Sequence, residues 1–192
     1  FCHPFDGFWD IKHEKRGSIR GAIFWLALTI LVFMYSGMGR GYIVNPNGET
    51  SSIFGSAVSI LVPVFLWVTA NWCLTTLFDG EGSYKDVFIT TCYALIPLIL
   101  LMLPSIMLTN VVTLEEVALV RMLESFGWIW AGLLIFFGMM VIHDYTIGKN
   151  VLTVVGSLVG LAFIMFIGFL FTNLIQKIFN FCYSIYIELS YR

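Results

Sequence analysis

Residues 87–108 read VFITTCYALIPLILLMLPSIML, a run that contains no Asp, Glu, Lys or Arg. A helix needs about 20 predominantly apolar residues to cross about 30 Å of hydrocarbon, so this run is long enough to span a bilayer. Comparable runs occupy about residues 21–38, 53–78 and 117–142, and a fifth precedes a mixed tail that begins at Ile175. The expected fold is an all-α integral membrane protein, a bundle of five transmembrane helices.

The composition supports the same conclusion. Of 192 residues, 59% are hydrophobic and 11% are charged, with a mean hydropathy of +0.90, whereas about a quarter of the residues of a soluble domain are charged. Five spans leave only short connections, which excludes a self-contained soluble catalytic domain. A net charge of -2 gives no electrostatic case for nucleic acid as a partner. The lipid bilayer is the expected surrounding.

An amphipathic segment precedes the first span. Phe5, Phe8, Trp9 and Lys12 recur at helical spacing, which predicts a short helix lying in the headgroup layer. Such a helix serves as a membrane anchor or as a docking surface for a partner, and the sequence leaves both open. We assign residues 1–20 to a cytoplasmic or interfacial segment, 21–181 to the five-span domain and 182–192 to a C-terminal tail.

The basic residues predict the orientation, because Lys and Arg near span ends are held preferentially in the cytoplasm. With the N-terminus inside, six of the ten basic residues are cytoplasmic and three are outside. The cytoplasmic ones are Lys12, Lys15, Arg16, Arg20, Lys85 and Lys149. We therefore expect a multi-pass protein of the plasma membrane with a cytoplasmic N-terminus and an external C-terminus.

Prolines and glycines mark special positions within the spans. Pro63, Pro97 and Pro104 each remove an intrahelical hydrogen bond and should bend or break their helices. Gly156-x-x-x-Gly160 gives the fifth span a small-residue face that allows close helix packing. That face is expected to pack within the chain, with a seam between two copies of a homo-oligomer as the alternative.

Polar residues of the predicted cytoplasmic segments form the sharpest candidate for a catalytic or metal site. They are His13, Asp79, Glu81, Asp86, His143 and Asp144. Carboxylates with imidazoles could bind a divalent ion or move a proton. Their spacing matches no metal motif, however, and loops at a membrane surface are polar in any case. The four cysteines show no C-x-x-C spacing. We expect no catalytic residue, cofactor or metal, and therefore no enzyme.

Two charged residues lie within the fourth span. Arg121 and Glu124 are three residues apart, a spacing that lets two side chains meet on one helix face. A charge near the bilayer centre costs about 2.5 to 3.5 kcal/mol on insertion scales. Structural pairing of the two is the expectation, and a path for a substrate or a proton is the alternative.

Two stretches resemble the Yip1 domain family, in its bacterial branch. They are HPFDGFWDIKHEKRGS at residues 3–18 and FDGEGSYKDVFITTCYALIP at residues 78–97. The second contains Asp79, Gly80 and Gly82 of the loop and ends at Pro97. The resemblance implies a non-enzymatic polytopic membrane protein with five spans and a cytoplasmic N-terminus. Bacterial members resembling this chain tend to be encoded beside carbohydrate importers of the ATP-binding-cassette type.

The resemblance implies an accessory or scaffold subunit whose spans pack against the permeases of such an importer. The alternative from another class is a small transporter or channel in its own right. A second alternative is a membrane-trafficking factor like the eukaryotic relatives, but their Asp-Leu-Tyr-Gly-Pro motif is absent from the N-terminal segment.

Overall fold

The computed structural model describes residues 4–15, 17–47 and 52–190. Their helices are α1 (Pro4–His13), α2 (Ile19–Gly39), α3 (Ile53–Leu77), α4 (Tyr84–Ala94), α5 (Ile96–Leu108), α6 (Val117–His143) and α7 (Ile147–Ser190). Arg16, one of the residues singled out from the sequence, lies outside the described residues. α1 is the predicted N-terminal amphipathic helix.

Five segments of the described chain are long and apolar enough to cross a membrane: α2, α3, α4 with α5, α6 and α7. No more than a third of the most apolar window is buried in α2, α3, α6 or α7, and each of these helices carries several exposed large apolar side chains. A large exposed apolar surface of this kind is compatible with lipid tails, whereas its exposure to water would be unfavourable. The predicted all-helical bundle of five spans is confirmed.

Serine side chains begin three of the helices. The hydroxyls of Ser18, Ser52 and Ser83 accept the backbone N–H groups of Gly21, Gly55 and Asp86. Each hydroxyl satisfies one N–H that has no partner within its own helix. At α4 the carboxylate of Asp86 also accepts the backbone N–H of Ser83, which completes a capping box. The Asp86 carboxylate therefore caps the N-terminus of α4.

The third span is broken where the sequence predicts it. α4 ends at Ala94 and α5 begins at Ile96, with Pro97 in its first turn. Proline lacks an N–H and is tolerated at the start of a helix, so the break falls just before it. Pro63 and Pro104 instead lie inside α3 and α5, which continue through them.

α4 and α5 form the centre of the bundle. Two thirds of the most apolar window of this span is buried, and α4 packs against α2, α3 and α6. Val87 and Cys92 of α4 share one core cluster with Val68 of α3 and Met139 of α6. The loop before α4 is thereby held against the ends of its neighbours.

α7 packs mainly on α3 and makes a smaller contact with α6. A Cβ on Gly156 would lie 2.6 Å from Leu74, and one on Gly160 would lie 3.8 Å from Ala70. The small-residue face therefore contacts α3 of the same chain. Beyond it, α7 continues as one helix to Ser190, so no helix end separates the residues assigned to a tail from the fifth span.

Candidate functional site

The most elaborate polar structure lies at the end of the bundle that carries α1, here called the α1 end. There the loop at residues 78–83 meets the turn at residues 144–146. Asp79 and Asp144 adopt left-handed backbone conformations, with φ of 54° and 55°. This conformation terminates a helix within one residue, and Asp tolerates it better than most residues. The two turns are therefore short enough to pack against each other.

His143 is buried between the loop and the spans. The N–H of Gly82 donates to His143 Nδ1 at 3.3 Å, while His143 Nε2 lies 3.2 Å from Asn71 Oδ1. Since Nδ1 accepts, Nε2 carries the proton and donates it to the amide oxygen of Asn71. The amide nitrogen of Asn71 donates in turn to Ser157 Oγ at 3.1 Å. One chain of hydrogen bonds thus joins the loop, α6, α3 and α7.

The loop glycines are required by this close packing. A Cβ on Gly80 would lie 2.7 Å from His143 Nδ1, 2.7 Å from Tyr145 Oη and 2.9 Å from Thr75 Cβ. A Cβ on Gly82 would lie 2.5 Å from Ile142. Real Cβ atoms essentially never come so close to other heavy atoms. Gly80 and Gly82 therefore allow the loop to pack closely against α6 and Tyr145, where a larger side chain would clash.

Tyr145 closes the α1 end over the terminus of α3. Its hydroxyl donates to the carbonyl of Phe78 at 3.1 Å and lies 3.4 Å from that of Thr75. Its ring stacks on His143 with the centroids 5.3 Å apart. Burial, followed by the negative charge of Asp79, raises the pKa of Tyr145 above its ordinary value. The hydroxyl therefore remains a neutral hydrogen-bond donor at physiological pH.

α1 is fastened to the bundle by one aromatic side chain and one ion pair. Phe8 is buried with Ala94 and Leu134, and the absence of a side chain at Gly138 makes room for its ring. At the other end of α1, Lys12 Nζ lies 2.8 Å from Glu81 Oε2. Trp9 is half-exposed and stacks on His13. α1 is therefore held against α6 and the loop.

The Lys12–Glu81 ion pair should make α1 docking sensitive to acid. The hydrogen bond from Lys12 and then its charge lower the pKa of Glu81. A lowered pKa in the folded state means that the pair is intact above the ordinary value of 4.5 and is lost as the pH falls through the lowered value. We expect hydrogen-exchange protection of α1, corrected for intrinsic rates, to decline as the pH falls below 4.5, the ordinary value for Glu81. It should be reduced already at neutral pH in Lys12→Met.

Lys15→Met is the matched control for this prediction. Lys15 is exposed and follows α1 by two residues, so its removal changes the charge near α1 without removing the pair to Glu81. Equal loss of protection in Lys12→Met and Lys15→Met would mean that net charge, and not the pair, holds α1.

At the opposite end of the bundle, the ion-pair partner of Glu124 differs from the predicted one. Glu124 is paired with Arg40, with Arg40 Nη2 2.9 Å from Glu124 Oε1, and Ser105 Oγ donates to the same oxygen at 3.3 Å. Arg121 is exposed. The predicted Arg121–Glu124 pair is wrong, because the end of α2 brings a guanidinium to the buried side of α6 while Arg121 faces outward.

The polar residues that the sequence grouped as one candidate site do not converge on one point. Glu81 pairs with Lys12, Asp86 caps α4 and His143 turns into the bundle. Across the residues that the structure describes, no group of three or more His, Cys, Asp or Glu side chains is arranged to hold a metal ion. No sequence pattern pointed to Arg40, Tyr145 or Ser157, because their hydrogen-bond partners lie far away in the chain.

Comparison with known proteins places this architecture in a family. The model of the Yip1 domain matches residues 1–170. That match includes α1, the glycine loop, the broken third span and the α3-packed part of α7. Neither the curated proteins nor the solved structures contain a match to the chain. Because the family match extends over most of the sequence, the chain belongs to the Yip1 domain family.

Proposed function

We propose that this membrane protein is a non-enzymatic accessory or scaffold subunit that packs laterally against the permeases of a carbohydrate ATP-binding-cassette importer. It would act in the plasma membrane with its N-terminus in the cytoplasm. The observation that supports this proposal is that a long part of α7 packs against no other described helix. Membership of the Yip1 domain family supports a polytopic membrane protein, and the resemblance of residues 3–18 and 78–97 to its bacterial branch supports the choice of partner.

Most of α7 has no neighbour among the residues that the structure describes. From Ala162 to Thr172 every residue is exposed, and large side chains such as Phe163, Phe169 and Phe179 are 62%, 69% and 71% exposed. Each of the other spans packs on more helices than α7, whose neighbours are α3 and α6. In lipid the hydrophobic effect does not bring helices together, and they associate by shape and by polar contacts. A helix exposed on all sides is available for such contacts.

α7 is also longer than a bilayer requires. Its 44 residues correspond to about 66 Å of helix, roughly twice the hydrocarbon thickness. Beyond Thr172 polar residues recur every three or four positions and leave an apolar face opposite to them. They are Asn173, Gln176, Lys177, Asn180, Ser184 and Glu188. An amphipathic continuation of a membrane helix suits a partner that extends out of the bilayer.

The sequence motifs agree with a supporting role. The chain contains no G-x-x-x-x-G-K-[ST] motif, which nucleotide-binding subunits use to hold phosphates. ATP hydrolysis in such a complex would therefore belong to a partner. In the described chain, Lys12 with Glu81 and His143 with Asn71 hold helices and turns of the α1 end together.

Removal of the α7 aromatic side chains should weaken partner binding. In Phe169→Ala/Phe179→Ala, recovery of permease subunits after mild-detergent affinity purification should fall about tenfold or more, because buried aromatic anchors supply much of the affinity of an interface. Mass spectrometry of the bound proteins is the measurement. Leu100→Ala/Leu133→Ala is the matched control, since both leucines are exposed on other helices and should not affect recovery.

A solitary protein under gentle extraction would count against the proposal. The alternative, a small transporter or channel, is favoured by one observation, the buried position of Asn71 within a span. Solute flux into liposomes that contain this protein alone would support the alternative and contradict a purely accessory role.

A further inference from the structure

An open cavity of about 470 Å³ lies between α1 and the last turn of α6. Pockets that bind small ligands typically measure about 300 to 1,000 Å³. The side chains important for the argument are Phe5, Asp6, Trp9, Lys12, Asp144 and Tyr145. The cavity is separate from the distal part of α7, so what it binds does not depend on the proposed partner.

The position of the cavity corresponds to the headgroup layer. Met140 and Val141 form part of its wall, and they lie within the last four residues of α6, which ends at His143. Glu81 of the loop borders it from the other side. The end of an apolar span is where hydrocarbon gives way to lipid headgroups. A molecule bound here would have its polar part at the loops and its apolar part along the helices.

The charges around the cavity favour an ammonium group. Lys12 and Glu81 neutralise each other through their ion pair. Asp6 and Asp144 are both exposed, and within the part of the chain that the structure describes neither has an ion-pair partner. Two carboxylates without counterions attract a cation and repel an anionic headgroup. Carboxylate oxygens also accept hydrogen bonds, which a primary ammonium can donate and a quaternary one cannot.

The remaining lining suits the rest of a zwitterionic lipid. Only one bond of the Lys12 ammonium is directed to Glu81, and an ammonium has three N–H donors, so two can contact a phosphate. Phe5 is 45% exposed and lies against Phe137, with ring centroids 5.1 Å apart. These rings offer an apolar surface beside the polar groups, where an acyl chain can lie.

We propose that the cavity binds one phospholipid with a primary ammonium headgroup, as in phosphatidylethanolamine. Asp6 and Asp144 receive the ammonium, Lys12 contacts the phosphate and the Phe5–Phe137 surface supports an acyl chain. Bound in this way, the lipid bridges α1 and the end of α6, and it occupies the space between them.

Native mass spectrometry of the full chain in mild detergent tests this proposal. Phosphatidylethanolamine, phosphatidylcholine and phosphatidylglycerol with identical acyl chains are titrated separately. We expect phosphatidylethanolamine to bind about tenfold more tightly than phosphatidylglycerol, since charge-assisted hydrogen bonds are gained with one and like charges meet with the other. In Asp6→Asn/Asp144→Asn the preference should disappear. Asparagine is chosen because it tolerates the left-handed backbone at Asp144.

Glu115→Gln is the matched control, because it removes one exposed carboxylate from the connection before α6, away from the cavity, and should leave the preference intact. Equal affinity for the three lipids, or an unchanged preference in the double variant, would overturn the proposal. If the double variant does not elute as a single folded species, Asp6→Asn alone gives the result, and an unchanged preference there overturns it as well. Glycerophosphoethanolamine, which has the headgroup without acyl chains, should compete poorly, and competition equal to that of the lipid would overturn the lipid assignment.

Discussion

Replacement of Glu124 by leucine should lower the free energy of unfolding by about 2 to 3 kcal/mol. The substitution leaves the Arg40 guanidinium charged in a site where its side chain is only 28% exposed. Breaking a buried ion pair by removing one partner costs about 3 to 5 kcal/mol, and the partial exposure of this pair reduces that value. Unfolding in mixed micelles with increasing denaturing detergent measures the change.

Two further variants distinguish this pair from the one that spacing alone suggests. Arg121→Met should change stability by no more than about 0.5 kcal/mol, as expected for an exposed position. Arg40→Met/Glu124→Leu should recover most of the loss, because an apolar pair often replaces an ionic one at little cost. A loss in Arg121→Met as large as that in Glu124→Leu would contradict the Arg40–Glu124 assignment.

The second large effect is expected at the glycine loop. Gly80→Ala should destabilise the protein by about 1 to 3 kcal/mol, the usual cost of overpacking. The new Cβ would lie under 3.0 Å from atoms of His143, Tyr145 and Thr75. Two of these side chains cannot easily move, because His143 is held by Asn71 and Tyr145 by the carbonyl of Phe78. Thermal unfolding followed by gel filtration in mild detergent measures the effect.

Gly148→Ala is the control for this substitution. Gly148 lies in the first turn of α7, and outside that turn no described heavy atom lies within 4 Å of a Cβ built there. Its replacement should leave stability unchanged or raise it slightly, since alanine favours helix more than glycine does. If Gly80→Ala behaved like Gly148→Ala, the packing of the loop against His143 and Tyr145 would be contradicted.

Rules that use only neighbouring residues in the sequence predicted the features that depend on the local chain and on the bilayer. The break before Pro97 follows from the missing N–H of proline, and the amphipathic pattern of α1 follows from its helical spacing. The same kind of rule failed for Glu124. A spacing of three residues predicted Arg121 as its partner, but the actual partner is 84 positions away. A local rule predicts which residues can meet on one helix. It does not predict which of them faces a neighbouring helix.

The polar contacts of the α1 end were beyond sequence reasoning for the same reason. Lys12 and Glu81 are 69 positions apart, and His143 is 61 from Gly82 and 72 from Asn71. Grouping the polar loop residues from the sequence predicted that they share one end of the bundle, and the structure brings Glu81 and His143 to the α1 end. The grouping did not predict that His143 turns inward, that Asp86 caps a helix, or that Gly80 and Gly82 make room for the histidine and Tyr145.

The sequence by itself determined that the chain is a five-span helical membrane protein, because a bilayer forces each crossing segment to satisfy its own backbone hydrogen bonds and to be apolar over a fixed length. Both requirements are local and can be recognised in consecutive residues. Only the tertiary structure decided which charges pair, which polar groups are buried and where α7 leaves the bundle. These outcomes depend on how helices distant in the chain rotate and pack against each other, and that packing is set by shape and polar contacts instead of by hydropathy.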